Sequence, residues 1–140
     1  MTLDLKQHLL RQMAFSHATF GPGTRTEGVS DLIRKELEEV AASGGSAHEW
    51  VDVVILCLDG LTRELAFGQS IAAGTYINAR KLPTSVAEQA CDLILDKQAR
   101  NEGRTWPDWR TVDGGKAIEH DRRDDGHLRP LASLSSTARD

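Results

Sequence analysis

Two apolar helical periods separated by a glycine turn limit this chain to few folds. Between Thr26 and Ala42 the residues Val29, Leu32, Ile33, Leu37 and Val40 recur at three- and four-residue steps, and Gly44-Gly45-Ser46 stops them. Glycine just past a helix end tolerates the left-handed cap that closes one. Ser46 stands three residues before Glu49, the spacing of a capping box, and a second helical period follows through Trp50, Val53, Val54, Leu58, Leu61 and Leu65. Helices joined by so short a turn bury their apolar stripes by packing antiparallel. A helical hairpin is therefore expected at the centre of the chain.

The flanks extend this reading. Leu5, Leu9, Leu10, Met13 and Phe15 predict a first helix from Leu3 to about Ala14, and the Gly- and Pro-rich stretch 19–25 predicts a loop after it. Thr84-Ser85 is expected to cap a fourth helix reaching about Glu102, with Val86, Ala90, Leu93 and Ile94 along one side. The link between, interrupted by Gly68, Gly74 and Pro83, leaves Tyr76-Ile77 open between helix, loop and a brief extended piece. A chain of 140 residues, 39% of them hydrophobic, can bury one core and leaves little room for two. The expected class is all-α, a bundle of about four main helices over 1–110. After Arg110 aromatic residues cease and charged clusters mix with Gly and Ser, so 111–140 is expected to be a flexible or peripheral tail.

Several function classes are disfavoured. A net charge of −4 offers no broad basic footprint, so no nucleic-acid partner is expected. Cys57 and Cys91 lie in apolar stretches without metal-ligand spacing, which predicts two buried free thiols. The longest unbroken apolar run, Val53 to Leu58, is far short of a membrane span, and the N-terminus lacks the pattern of a signal peptide. A cytoplasmic protein without a membrane partner is the expectation.

The chemistry is carried by carboxylates. Glu36 and Glu39 project about 60° apart on one face of the second helix, whereas Glu38 points elsewhere. Glu49 and Asp52 repeat the three-residue step on the third helix, so the tight turn would set four carboxylates facing one another. Glutamate pairs are routine solvated decoration on helices, but two acidic pairs beside apolar positions, flanking one turn, are costly unless a hard divalent cation compensates them. Oxygen-only ligation suits Mg²⁺ or Mn²⁺. Asp59 returns to nearly the same face and is open between a further ligand, an outer partner and an ordinary polar residue. On the fourth helix Lys97, Asn101 and Arg104 follow at steps of four and three, a row of donors for phosphate oxygens.

These residues carry a family resemblance. KELEE at 35–39, EWVD at 49–52 and KQARNEGR at 97–104 resemble the MazG-like all-α nucleoside triphosphate pyrophosphohydrolases, with their ExxE and ExxD hallmark. Phe15-Ser16, TFGPGTRTEG at 19–28, EWVDVVILCLDG at 49–60 and KQARNEGRTWPDWR at 97–110 look like the dATP/dGTP pyrophosphohydrolase branch, common in bacteriophages and including the MazZ-type dGTP diphosphohydrolases. The resemblance spans most of 8–65 and 92–110; the segment 68–88 departs from it, so nothing is carried to Tyr76 or Asn78.

The resemblance implies that Glu36, Glu39, Glu49 and Asp52 hold two to three Mg²⁺ or Mn²⁺ ions and that Lys97 and Asn101, extended by Arg104, contact phosphates. It further implies hydrolysis of a purine deoxynucleoside triphosphate, with dGTP favoured, to the monophosphate and pyrophosphate, by a homodimer or homotetramer. Glu39 and Glu49 are the candidate catalytic carboxylates, Glu39 for orienting or deprotonating water. Phe20, Gly21, Gly23, Arg25 and Trp106 are the expected base pocket, since the glycines let backbone groups reach a base edge and an aromatic face can cover the ring. Two alternatives stand beside this reading: a related enzyme acting on another nucleotide, and a non-catalytic helical module with a solvated acidic face.

Overall fold

A computed structural model describes residues 1–72 and 82–123. They form helices α1 (Leu5–Phe20), α2 (Thr26–Ala42), α3 (Ala47–Ala72) and α4 (Leu82–Glu102), followed by a 3₁₀ turn at Trp109–Thr111, with no strand among the described residues. The all-α expectation holds. Tyr76, Asn78 and the tail from 124 onward lie outside the described residues. Two compact units divide the chain, Met1–Cys91 and Asp92–Asp140.

In the first unit α2 and α3 form the expected hairpin. Gly44 and Gly45 adopt φ of 71° and 90°, and the Gly45 N–H returns to the Val40 carbonyl at 2.9 Å, closing the end of α2. An alanine at Gly45 meets no steric neighbour but must hold the left-handed backbone. Gly45→Ala is therefore expected to cost about 1–2 kcal/mol in urea unfolding. The start of α3 is held by other contacts than the expected capping box: the Ser46 carbonyl accepts the Trp50 N–H, and the Ser46 N–H donates to Ser43 Oγ at 3.1 Å. Ser43 thus serves the donor that Glu49 would have taken in a full box.

The core of this unit joins Leu9 and Met13 of α1 to Val86, Ala87 and Ala90 at the start of α4, with Leu58, Leu61 and Leu65 of α3 packed against them. Gln12, also buried, donates from Nε2 to the Ile55 carbonyl at 2.7 Å and so ties α1 to α3 through a polar contact. Gly60 permits the close crossing of α2 and α3, since a Cβ there would lie 3.4 Å from Val29 Cγ1.

Three boundaries differ from expectation. Helix α1 starts after Asp4, whose side chain accepts the Gln7 N–H, and runs on to Phe20 because no breaker precedes Gly21. Helix α3 passes through Gly68, a cost of about 1 kcal/mol that a long helix absorbs. Helix α4 begins at Leu82, placing Pro83 in its first turn, where its missing N–H costs nothing, so Thr84 and Ser85 lie inside the helix rather than capping it. The thiols also differ: Cys57 is exposed and Cys91 half-buried, because Cys57 falls on the outer face of α3.

In the second unit α4 ends at Glu102, and the chain that follows returns on itself. The Asp121 N–H donates to the Thr105 carbonyl at 2.8 Å, and the Trp106 ring meets His120 edge-on at 5.5 Å. Among the described residues no helix is long and apolar enough to cross a membrane.

Candidate functional site

The α2–α3 hairpin brings three of the four expected carboxylates together. Glu36 of α2 and Glu49 and Asp52 of α3 each offer an oxygen, all within 4.8 Å of one another. Glu36 and Glu49 are half-buried and Asp52 is exposed, so the group opens to solvent on one side. Glu49 sits in the first turn of α3, where the helix dipole favours a negative charge. Glu39 lies in the last turn of α2, which holds no basic residue, where the dipole disfavours it.

Glu39 departs from expectation. It is exposed and stands outside the three-oxygen group, yet it remains near enough to act on Glu36. Desolvation, followed by the charges of Glu39, Asp52 and Glu49, holds the Glu36 carboxyl above its ordinary value of 4.5. The basic residues that precede the site on α2 are engaged elsewhere, Lys35 with Asp31 at 3.0 Å and Arg34 with the same carboxylate at 4.0 Å. The donor set is entirely carboxylate oxygen, crowded within 4.8 Å. Those properties fit a hard divalent ion.

The folded state binds the Glu36 proton more tightly than the unfolded chain, so its contribution to stability is fully present below about 4.5 and is lost as pH rises through the folded value. In chelator, Glu36→Gln should therefore melt higher than wild type at neutral pH, and the gap should close as pH is lowered past 4.5. Differential scanning fluorimetry across pH checks both.

Asp59 is not part of this group. It is a buried residue in the middle of α3, and both its oxygens accept from Arg63 Nε, at 3.1 and 3.0 Å. Arg63, 2% exposed, is among the largest fully buried side chains and was not singled out by sequence reasoning. Its Nη1 donates to the carbonyls of Gly21 and Gly23, each at 2.9 Å, and its Nη2 to Ser16 Oγ at 2.7 Å. The only sequence signal was an Asp and an Arg four residues apart within an apolar helix.

The loop from Gly21 to Arg25 is consequently built differently from expectation. The carbonyls of Gly21 and Gly23 turn toward Arg63, while the Phe20 ring, Pro22 and the Arg25 side chain are exposed. Arg25 has φ of 50°, donates from Nη1 to the Phe20 carbonyl at 3.1 Å, and lies over the Phe20 ring at 5.8 Å. Phe20 also meets Phe15 edge-on.

The expected phosphate row is only partly a row. Lys97 is exposed on α4, but the helix ends before Arg104, which folds back to donate from Nη1 to Asn101 Oδ1 at 2.9 Å. Trp106 Nε1 donates to the Asn101 carbonyl at 2.7 Å, and the indole is 44% exposed. With Thr105, Pro107, Glu119, His120 and Asp121 it lines an open hollow of about 300 Å³ in the second unit.

An all-helical chain that gathers carboxylates from two adjacent helices belongs to the class of proteins able to offer an oxygen site to a cation. The family model for dATP/dGTP pyrophosphohydrolase matches residues 9–85, and the chain belongs to that family. The match covers the hairpin, all three clustered carboxylates, Arg63 and the Gly21–Arg25 loop. No curated protein and no solved structure gives a significant match. The chain is thus a hydrolase acting on nucleoside triphosphates, and its closer particulars rest on the residues themselves.

Proposed function

We propose that the protein is a MazG-like enzyme of the phage MazZ type that hydrolyses dGTP to dGMP and pyrophosphate with Mg²⁺ or Mn²⁺. The observation that carries this reading is the convergence of Glu36, Glu49 and Asp52 between α2 and α3 in a chain of the dATP/dGTP pyrophosphohydrolase family. These three, with Glu39 at the margin, would hold two to three ions. When bound, such ions polarise phosphoryl oxygens and acidify water.

The chain's own residues supply the rest. Water forms a bond to the α-phosphorus, the bond from that phosphorus to the bridging oxygen breaks, and pyrophosphate leaves. Glu39, exposed beside Glu36, is the carboxylate assigned to receive the water's proton. Glu49 is assigned to fix the geometry of the acidic group from the first turn of α3. Lys97 and Asn101 are the phosphate donors proposed within the second unit, with Arg104 buttressing the Asn101 amide oxygen.

Guanine offers two donors and one acceptor on its pairing edge, so a pocket that satisfies them rejects other bases strongly. Steady-state rates with dGTP, dATP, dCTP, dTTP and GTP test the assignment. The highest kcat/KM is expected for dGTP; a higher value for dATP or a pyrimidine would overturn the guanine assignment. The dGMP released would serve nucleotide-pool control or the supply of a modified-DNA precursor, in the host cytoplasm if the chain is phage-encoded.

Assembly forms part of the proposal. Trp50, Val51, Val54 and Ile55 on α3 are 38–54% exposed, an apolar face of the kind that homo-oligomers cover. Light scattering at micromolar concentration should return a dimer or tetramer, and a monomeric mass would contradict it.

A further inference from the structure

Arg63 is placed where a structural salt bridge alone would not require it. A pair with Asp59 would use one edge of the guanidinium, but the other nitrogens reach out of α3 to three points of one segment, Ser16, Gly21 and Gly23. The loop they hold carries positive φ at Gly21, Gly23 and Arg25, a conformation that needs external support because Arg25 has a Cβ. The loop shows to solvent the half-exposed Phe20 ring with the Arg25 guanidinium over it. Aromatic faces and guanidinium planes are the surfaces on which nucleobases stack.

Position settles which part of a nucleotide is concerned. Arg25 precedes α2, and Glu36 follows ten residues after Thr26, which places the loop about 15 Å along the helix from the carboxylates. Phosphates belong at the carboxylate end, and the loop lies at the other.

We propose that Arg63 is a positioning residue for substrate: clamped by Asp59, it sets the Gly21–Arg25 loop so that Phe20 and Arg25 receive the purine base of the nucleotide. The inference rests on the nucleotide-hydrolase reading above. Because the loop binds substrate far from the reacting phosphorus, loss of the clamp removes binding shared by ground and transition states, which raises KM more than it lowers kcat.

Arg63→Lys and Asp59→Asn are the test, because both preserve side-chain bulk: the first removes the guanidinium fork that reaches Ser16, Gly21 and Gly23, and the second removes the carboxylate that anchors Nε. Two readouts are taken on the full chain, after circular dichroism has shown both variants helical. The first is the rate of tryptic cleavage at Arg25–Thr26, followed by mass spectrometry. The second is KM and kcat with dGTP and dATP, beside Mn²⁺ affinity by calorimetry. The proposal expects faster cleavage at that bond, KM raised at least about tenfold, kcat within about threefold of wild type and unchanged Mn²⁺ affinity. Should either variant lose its helical signal, the exposed-side variants Phe20→Ala and Arg25→Ala, which leave the clamp intact, must raise KM with the same split. Unchanged cleavage in the clamp variants, or unchanged KM despite faster cleavage, overturns the proposal. A wild type inactive on every deoxynucleoside triphosphate would instead defeat the parent reading, a result visible before any variant is made.

Discussion

Replacing Glu49 or Asp52 by alanine is expected to lower kcat/KM about 100- to 1,000-fold, the range seen when one preorganised electrostatic group is taken from a reacting site. The same substitutions should leave the fold intact. In chelator, the three carboxylates repel within 4.8 Å, so deleting one relieves repulsion instead of removing a supporting contact. Glu36→Gln belongs to the same series and should lose activity while gaining thermal stability without metal. This opposite movement of activity and stability separates a functional acidic group from a structural one. Near-wild-type turnover in Glu49→Ala would show that the carboxylates are decoration.

The second large effect concerns the buried Arg63. Its side chain is 1% exposed and that of Asp59 11%, so removing the guanidinium leaves a carboxylate with little access to water and strips donors from the carbonyls of Gly21 and Gly23. Breaking a buried pair on one side costs about 3–5 kcal/mol. Arg63→Met should therefore unfold at markedly lower urea than wild type, whereas Asp59→Leu combined with Arg63→Met should cost less than the two single changes added together. Additive losses would mean that the two side chains do not interact energetically. The Arg63→Lys variant, which keeps a cation beside Asp59, should lie between wild type and Arg63→Met.

Both effects show where sequence patterns inform and where they stop. The α2–α3 hairpin was legible because apolar side chains repeat at three- and four-residue steps and Gly44 and Gly45 supply the left-handed exit. The cluster of Glu36, Glu49 and Asp52 followed from the same periodicity, since residues three apart share a face and one short turn brings two faces together. Glu39 missed the group for a reason a one-dimensional spacing hides: 60° of rotation and one further turn put it nearer solvent at the helix end.

Arg63 was not legible as a hub. Its contacts to Ser16, Gly21 and Gly23 span 40 to 47 positions in sequence, and no local rule says which backbone carbonyls a buried guanidinium will gather. The loop itself was recognised from Gly21-Pro22-Gly23, but the direction of its carbonyls is a tertiary fact that turned the expected base-reading groups inward. Arg104 shows the complementary error, because extending the three- and four-residue row past Glu102 assumed a helix that Gly103 ends.

Metal-dependent cleavage at the α-phosphorus is decided by the identity of the products. Phosphorus NMR of dGTP incubated with the wild-type protein and Mg²⁺ should show dGMP and pyrophosphate appearing in equal amounts, with no dGDP, and excess EDTA should stop the reaction. Release of dGDP and orthophosphate would place cleavage at another phosphorus, and turnover that continues undiminished in EDTA would rule out a divalent ion.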